Sequence, residues 1–177
     1  MAETAVFLLT GASASGKSTV GKLLAERFDR GVHLEGDVFR RSIVSGRVEM
    51  TEGSPEALRQ LRVRYRLAAA AGDAYVVEGF TVVVEDVVAG RLLEEFVSLV
   101  VSRPLHVVVL APGVEIVAAR ETARRQDAYA QFPMDELHRA FVDDTPRIGL
   151  WLDNAEQTPE ETVDAILDHK DRSLVAV

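Results

Sequence analysis

Gly11-Ala12-Ser13-Ala14-Ser15-Gly16-Lys17-Ser18-Thr19 satisfies the pattern GxxxxGK[ST] and stands between an apolar run, Ala5–Thr10, and an amphipathic stretch, Lys17–Asp29. A strand, a loop of small residues and a helix in that order make a phosphate cradle. Successive backbone N–H groups curl around phosphate oxygens, and the helix turns its positive end toward the anion. Gly11, Ala14, Ser15 and Gly16 are read as that cradle. Lys17 is expected to bridge the β- and γ-phosphates of a nucleoside triphosphate, and Ser18 to offer its hydroxyl to Mg²⁺. Thr19 has two readings, an α-phosphate contact or a first-turn residue with no ligand.

Outward from the loop, short apolar runs alternate with helical periodicities. Ala5–Thr10, Val32–Gly36, Ala74–Gly79, Leu105–Ala111 and Ile148–Asp153 read as buried strands. Lys17–Asp29, Asp37–Ser45, Pro55–Ala71, Glu85–Ser102, Val114–Gln126, Met134–Val142 and Pro159–His169 read as helices. The last has a clear start signal, with Thr158 as cap, Pro159 in the first position and Glu161 where a capping box needs its carboxylate. The alternation predicts a three-layer α/β fold: a five-stranded parallel sheet with right-handed crossovers and helices on both faces. Ligands then bind beyond the carboxyl ends of the strands. Gly46–Pro55 reads as a mobile loop over the site.

The composition excludes several classes. A chain of 177 residues, 47% hydrophobic and 27% charged, fits one folded domain and argues against disorder. With no cysteine there is no disulfide framework and no thiolate chemistry. His33, His106, His138 and His169 show no metal-ligand spacing. A net charge of −8 with no basic tail speaks against nucleic acid as partner. No apolar run reaches the roughly 18 residues of a membrane span, and Met1–Leu9 lacks a basic leader, so the expected location is the cytoplasm.

A guanine-nucleotide switch needs an Asn-Lys-x-Asp motif, but the sole asparagine, Asn154, precedes Ala155. Small phosphoryl-transfer enzymes are the largest class left. They need a carboxylate that orients an acceptor hydroxyl and takes its proton. Asp37, after His33-Leu34-Glu35-Gly36, fits that role and also the bland one of helix N-cap. Glu35 ranks second, because alternation points it to the other face.

Taken together, GASASGKST, HLEGDVFRR, the Arg-rich AARETARRQ and the closing IGLWLDNAEQTPEETVDAI resemble the P-loop kinases of small molecules. Chloramphenicol phosphotransferase, gluconate kinase and shikimate kinase belong to that group, and nucleoside monophosphate kinases share the architecture. The resemblance implies that Lys17 and Ser18 bind ATP and Mg²⁺, that Asp37 is the catalytic carboxylate and that arginines near Arg120 form a lid, about residues 120–147. Arg120 and Arg124 lie at i, i+4 with Arg125 adjacent, a spacing that suits either phosphoryl oxygens or a solvated helix face. Glu78, read as a strand end, stands where many P-loop proteins place a metal-holding aspartate. Its alternatives are acceptor binding and a structural pairing.

Between Asp37 and Glu78, Arg40, Arg41, Arg47, Arg59, Arg62, Arg64 and Arg66 suggest an anionic acceptor. Spacing puts Arg59, Arg62 and Arg66 on one helical face, where arginines are more often solvated. Val38, Phe39, Met50 and Phe80 suit an uncharged acceptor equally. The expectation is a single domain over residues 1–177 that moves the γ-phosphate of ATP to a hydroxyl of a small molecule. Asp37, Phe39, Arg40, Glu78 and Phe80 are its acceptor contacts, and an antibiotic is the leading acceptor by analogy with the chloramphenicol enzyme. The alternatives are a metabolic kinase of sugar acids or nucleotides, a toxin-like P-loop protein with an inhibitor partner, and a nucleotide-binding module without chemistry.

Overall fold

The computed structural model describes residues 4–49, 54–113, 116 and 141–175. Five strands, β1 (Val6–Gly11), β2 (Gly31–Glu35), β3 (Thr81–Glu85), β4 (Leu105–Leu110) and β5 (Leu150–Leu152), form one sheet in the order β2-β3-β1-β4-β5. Every pair is parallel. β1 is central, and all six of its residues are buried. Alternation along it fills both sides of the sheet. Val6 and Leu8 join Val82, Val84, Val107 and Val109 under helices α3 (Pro55–Val77) and α4 (Leu92–Leu99). Ala5, Phe7 and Leu9 join Val83, Val108 and Leu110 under α1 (Lys17–Glu26) and α5 (Pro159–Asp168). There are also two short helices, α2 (Asp37–Arg41) and α6 (Lys170–Ser173), and residues 141–144 are helical.

The expected sheet is present, but its third strand lies further along the chain. Ala74–Val77 are the last turn of α3, a 23-residue helix that starts at the Ser54 cap with Pro55 in the first turn. The side chain of Ser54 accepts from the Ala57 N–H. Ala68 to Ala71 favour continuation of the helix, and Val77 is 81% exposed, which no central strand residue would be. The helix closes by a Schellman pairing: Phe80 N–H donates to Tyr75 O, Gly79 N–H to Val76 O, and Gly79 takes the left-handed φ of 84°. Thr81-Val82-Val83-Val84-Glu85, wholly buried and mostly β-branched, is the strand. Gly72 is buried where α3 crosses β3, and a Cβ there would stand in ordinary contact with Val84 Cγ2 at 3.4 Å.

Other boundaries shrink. The helix expected from Glu85 to Ser102 is α4 alone, because Glu85 belongs to β3 and the chain after it crosses the carboxyl end of β1. The helix expected from Asp37 to Ser45 ends at Arg41. The capping box at the start of α5 is as expected, with Thr158 Oγ1 accepting from Glu161 N–H and the Glu161 carboxylate accepting from Thr158 N–H.

Candidate active site

The carboxyl ends of β1, β2 and β3 meet at one edge. β1 runs into the loop of residues 11–16, in which Ala14 (φ 56°) and Gly16 (φ 97°) are left-handed. Positive φ at these positions turns successive amides toward one concavity, the nest that receives an anion. The conformation, not space, requires glycine at position 16, where an added Cβ would meet only Asn154 Nδ2, at 3.7 Å. At Gly11 space decides, for a Cβ would stand 2.5 Å from Leu110 O and 2.6 Å from Ser15 Oγ.

Ser15 is fully buried, and its carbonyl accepts from Asn154 Nδ2 at 3.1 Å, so the loop after β5 braces the nest from below. The ammonium of Lys17 reaches back over the loop to donate to Ala12 O at 2.8 Å. Ser18 and Thr19 are exposed at the first turn of α1, where a hydroxyl is accessible to a hydrated cation. These donors fit a nucleotide polyphosphate, with Ser18 as the hydroxyl available to Mg²⁺.

Facing the loop is a cluster of charges. Asp86 follows β3, and its N–H donates to Leu9 O at 3.2 Å, which fixes it beside the end of β1. Thr10 and Val88 lock the same crossing, through Val88 N–H to Thr10 Oγ1 at 2.9 Å and Thr10 Oγ1 to Val88 O at 3.1 Å. The Asp86 side chain is fully enclosed, and both its oxygens are taken by Arg64, through Nε at 2.6 Å and through Nη2. Val87 N–H adds a third donor at 2.7 Å. From its Nη1, Arg64 reaches on to Asp37 Oδ1 at 3.3 Å. Arg40 Nε donates to the same oxygen at 2.7 Å, and Arg41 Nε lies 3.6 Å from Asp37 Oδ2.

Gly36 is what permits this approach: a Cβ there would lie 1.9 Å from Asp86 Oδ2. Partial burial works to raise the Asp37 carboxyl, but Arg40, Arg64 and Arg41 outweigh it and hold it below the ordinary aspartate value. Burial pushes Asp86 above that value despite Arg64, the Val87 N–H and Lys17. For Arg64, burial opposes the charge, but Asp86 and Asp37 prevail and hold the guanidinium above its usual range. Asp37 is thus 37% exposed at the carboxyl end of β2, with its arginines favouring the ionised carboxylate.

The structure corrects the placement of Glu78 and Phe80. Both precede β3, at the amino end of the sheet: Thr81 N–H donates to Arg30 O before β2, and the Arg30 guanidinium covers the Phe80 ring at 4.2 Å. Glu78 is the C-cap of α3. Neither residue shares an edge with Lys17. Asp37 is the first residue of α2, whose N-cap is Gly36, so the helix does not use its carboxylate as a cap. Phe39 packs against the core cluster that also holds Ala12, Leu61 and Val88. Arg120, Arg124, Arg125 and Met50 lie outside the described residues.

Sequence reasoning passed over Asp86 and counted Arg64 only among the seven arginines that suggest an anionic acceptor. The available signals were the acid directly after the run Val82-Val83-Val84-Glu85 and the offset of Arg64 from the Arg59, Arg62, Arg66 face.

A family profile described as an AAA domain matches residues 6–141. The chain belongs to that family. Solved structures share the fold of this AAA domain over nearly its whole length. A sugar kinase from Janibacter sp. superposes with a TM-score of 0.73 at 20% identity, covering 97% of this chain and 96% of that one. A gluconokinase from Sinorhizobium meliloti gives 0.65 at 22% identity, with 95% and 92% covered. The tunicamycin resistance protein of Deinococcus radiodurans gives 0.68 at 14% identity, with 99% and 100% covered. The fold is therefore that of the P-loop small-molecule kinases. No curated protein matches this AAA domain by sequence. Among the described residues, no helix is long and apolar enough to cross a membrane.

Proposed function

We propose that the protein is an ATP-dependent phosphotransferase that moves the γ-phosphoryl group to a hydroxyl of a small molecule. The observation that carries this reading is the chain Asp86–Arg64–Asp37, which holds an ionised, partly open carboxylate at the strand ends beside a left-handed phosphate nest. The amides of residues 11–16 and Lys17 would bind and orient the polyphosphate, and the Ser18 hydroxyl would hold Mg²⁺. The ion, when bound, would neutralise charge on the phosphate oxygens. Asp37 would align the acceptor hydroxyl and take its proton as the bond to phosphorus forms. Arg40 and Arg64 set the direction of the Asp37 oxygens. In this reading Arg120 and Arg124 belong to a lid of about residues 120–147 and would reach the transferring phosphoryl group, within one domain over residues 1–177.

An antibiotic is the leading acceptor, supported by the fold shared with the tunicamycin resistance protein. A metabolic sugar acid or a nucleoside or nucleotide is the second, the sugar side of it supported by the sugar kinase and gluconokinase likenesses. The working place of such an enzyme would be the cytoplasm. The test is incubation with Mg-ATP and a panel of hydroxylated compounds, read by mass spectrometry for one added phosphate. Lys17→Ala is expected to weaken nucleotide binding and turnover together, and wild-type values of both would remove the loop from the mechanism.

A further inference from the structure

We infer that the outer face of α3 is an interface on which a second copy of this chain docks, its own α3 running antiparallel. A helix that covers a sheet is expected to turn polar and charged residues to solvent on its far side. α3 departs from that expectation. Leu61, Tyr65, Ala68 and Gly72 are buried on the side toward the sheet, yet the opposite side carries Val63, Leu67, Ala70, Ala74 and Val77, all exposed. Their 4-3-4-3 spacing is the seam by which two helices pack along their length, and it runs for about 21 Å. Val101, 81% exposed, widens the patch near its carboxyl end, where its N–H donates to Asp73 Oδ2 at 3.0 Å. Of the eight large apolar side chains exposed among the described residues, Val63, Leu67, Val77 and Val101 stand in this one patch. Apolar side chains gathered in this way mark a contact surface, which scattered ones do not.

The charges beside the seam point to the occupant. Its amino half is flanked by Arg59 and Arg66, its carboxyl half by Asp73 and Glu78. Arg59 is paired with Glu56, whereas Arg66 is exposed and meets no carboxylate among the described residues. Asp73 is half-buried, and its oxygens accept from Ser102 N–H at 2.8 Å and from Val101 N–H, which leaves each a lone pair for a further donor. Arg66 and Asp73 lie on the same flank of the seam, about two turns apart. A two-fold axis through the seam near Ala70 therefore sets the Arg66 of each copy beside the Asp73 of the other, the self-complementary pattern of an isologous interface. Two seams running the same way would leave both Arg66 side chains unmatched and align the helix dipoles unfavourably. Ala70 and Ala74, in the middle, let two helix axes approach to about 8 Å. A lipid surface fits less well, because the carboxyl half of the seam would bring Asp73 and Glu78 against the headgroups.

The experiment uses the full chain at about 0.15 M salt, where the long-range repulsion between two copies of net charge −8 is screened. Sedimentation equilibrium from about 1 to 200 µM is expected to show monomer passing to dimer, a weak but specific association. Leu67→Glu is expected to weaken it at least about tenfold, and Arg66→Glu about three- to fivefold. Wild-type protein that stays monomeric overturns the inference. A seam covered by the chain itself would then show as lost thermal stability in Leu67→Glu, and one that serves a different partner as no loss. A dimer indifferent to Leu67→Glu overturns it too, by placing the contact elsewhere, and a dimer indifferent to Arg66→Glu removes the pairing with Asp73 on which the choice of a second copy rests. Orientation has a separate readout, since the chain has no cysteine of its own. Under air oxidation Ala70→Cys, beside the axis, is expected to link two copies through a disulfide. Val77→Cys, which antiparallel docking keeps about 20 Å from its counterpart, is not. Linking through Val77→Cys, or none through Ala70→Cys, overturns the antiparallel docking.

Discussion

The phosphate loop and the charge cluster face each other across the strand ends but are made in different ways. The loop is nine consecutive residues whose function lies in the backbone, with left-handed turns at Ala14 and Gly16 and amides facing one point. The cluster is made of side chains drawn from three separate places: Asp37 after β2, Arg64 in mid-α3 and Asp86 after β3. A contiguous device tolerates changes elsewhere in the chain. A dispersed one depends on every element that delivers a member, and its members fail together.

The variant expected to separate the two regions most is Arg64→Met. It leaves Asp86 enclosed without its partner, and the expected loss of stability is about 3–5 kcal/mol at neutral pH. A carboxyl whose folded pKa is raised keeps its proton longer in the native state than in the unfolded chain. Stability therefore falls as pH rises through the window between the ordinary aspartate value and the raised one. The loss in Arg64→Met is thus expected to shrink as the pH is lowered into the carboxylate range, where the native state can protonate Asp86. Urea melts at a series of pH values read this directly, and a loss that is independent of pH would mean Asp86 is not the group left unpaired.

Next in size, Asp37→Asn is expected to keep nucleotide affinity and to lower kcat by about two to four orders of magnitude, the range for a positioned general base. Unchanged kcat would take Asp37 out of the chemistry and leave the nest as a binding device alone. The arginines that depress the Asp37 pKa also make a forecast about the acid limb of the wild-type rate profile. Because the base form must be free, activity is expected to decline only below the ordinary aspartate value. A limb near neutrality would contradict the geometry.

Thr158→Ala removes the cap of α5, which packs on the far side of the sheet. The expected cost is about 1 kcal/mol in stability with no change in KM for ATP. The smallest effect belongs to Glu78→Gln, at the amino edge of the sheet, where turnover is expected within about twofold of wild type, as for a surface change away from the site. A large loss there would mean that the two edges are coupled.

The sequence shows one of these regions far better than the other. The nest can be read from Gly11 to Thr19 because its geometry is local: small residues, a glycine that must turn left-handed, then a helix start. Asp37 is legible for a related reason, since it closes a short apolar strand. Asp86 and Arg64 are not, because an acid after a strand becomes visible only once the strand is correctly placed. The apolar run Ala74-Tyr75-Val76-Val77 competes with Thr81–Glu85 for that assignment. A Schellman end at Glu78-Gly79 and a strand end before glycine look alike in one dimension, and helix continuity through Ala68–Ala71 separates them.

By itself, then, the order of residues determined the alternation of strands and helices, the parallel sheet and the phosphate nest, because each depends on spacings of a few residues. Which carboxylates meet which arginines was decided by tertiary structure alone. That pairing depends on α3 being long enough to carry Arg64 over the end of β3, and on Gly36 leaving room for Asp86, contacts between groups 22 to 50 positions apart that no local pattern encodes.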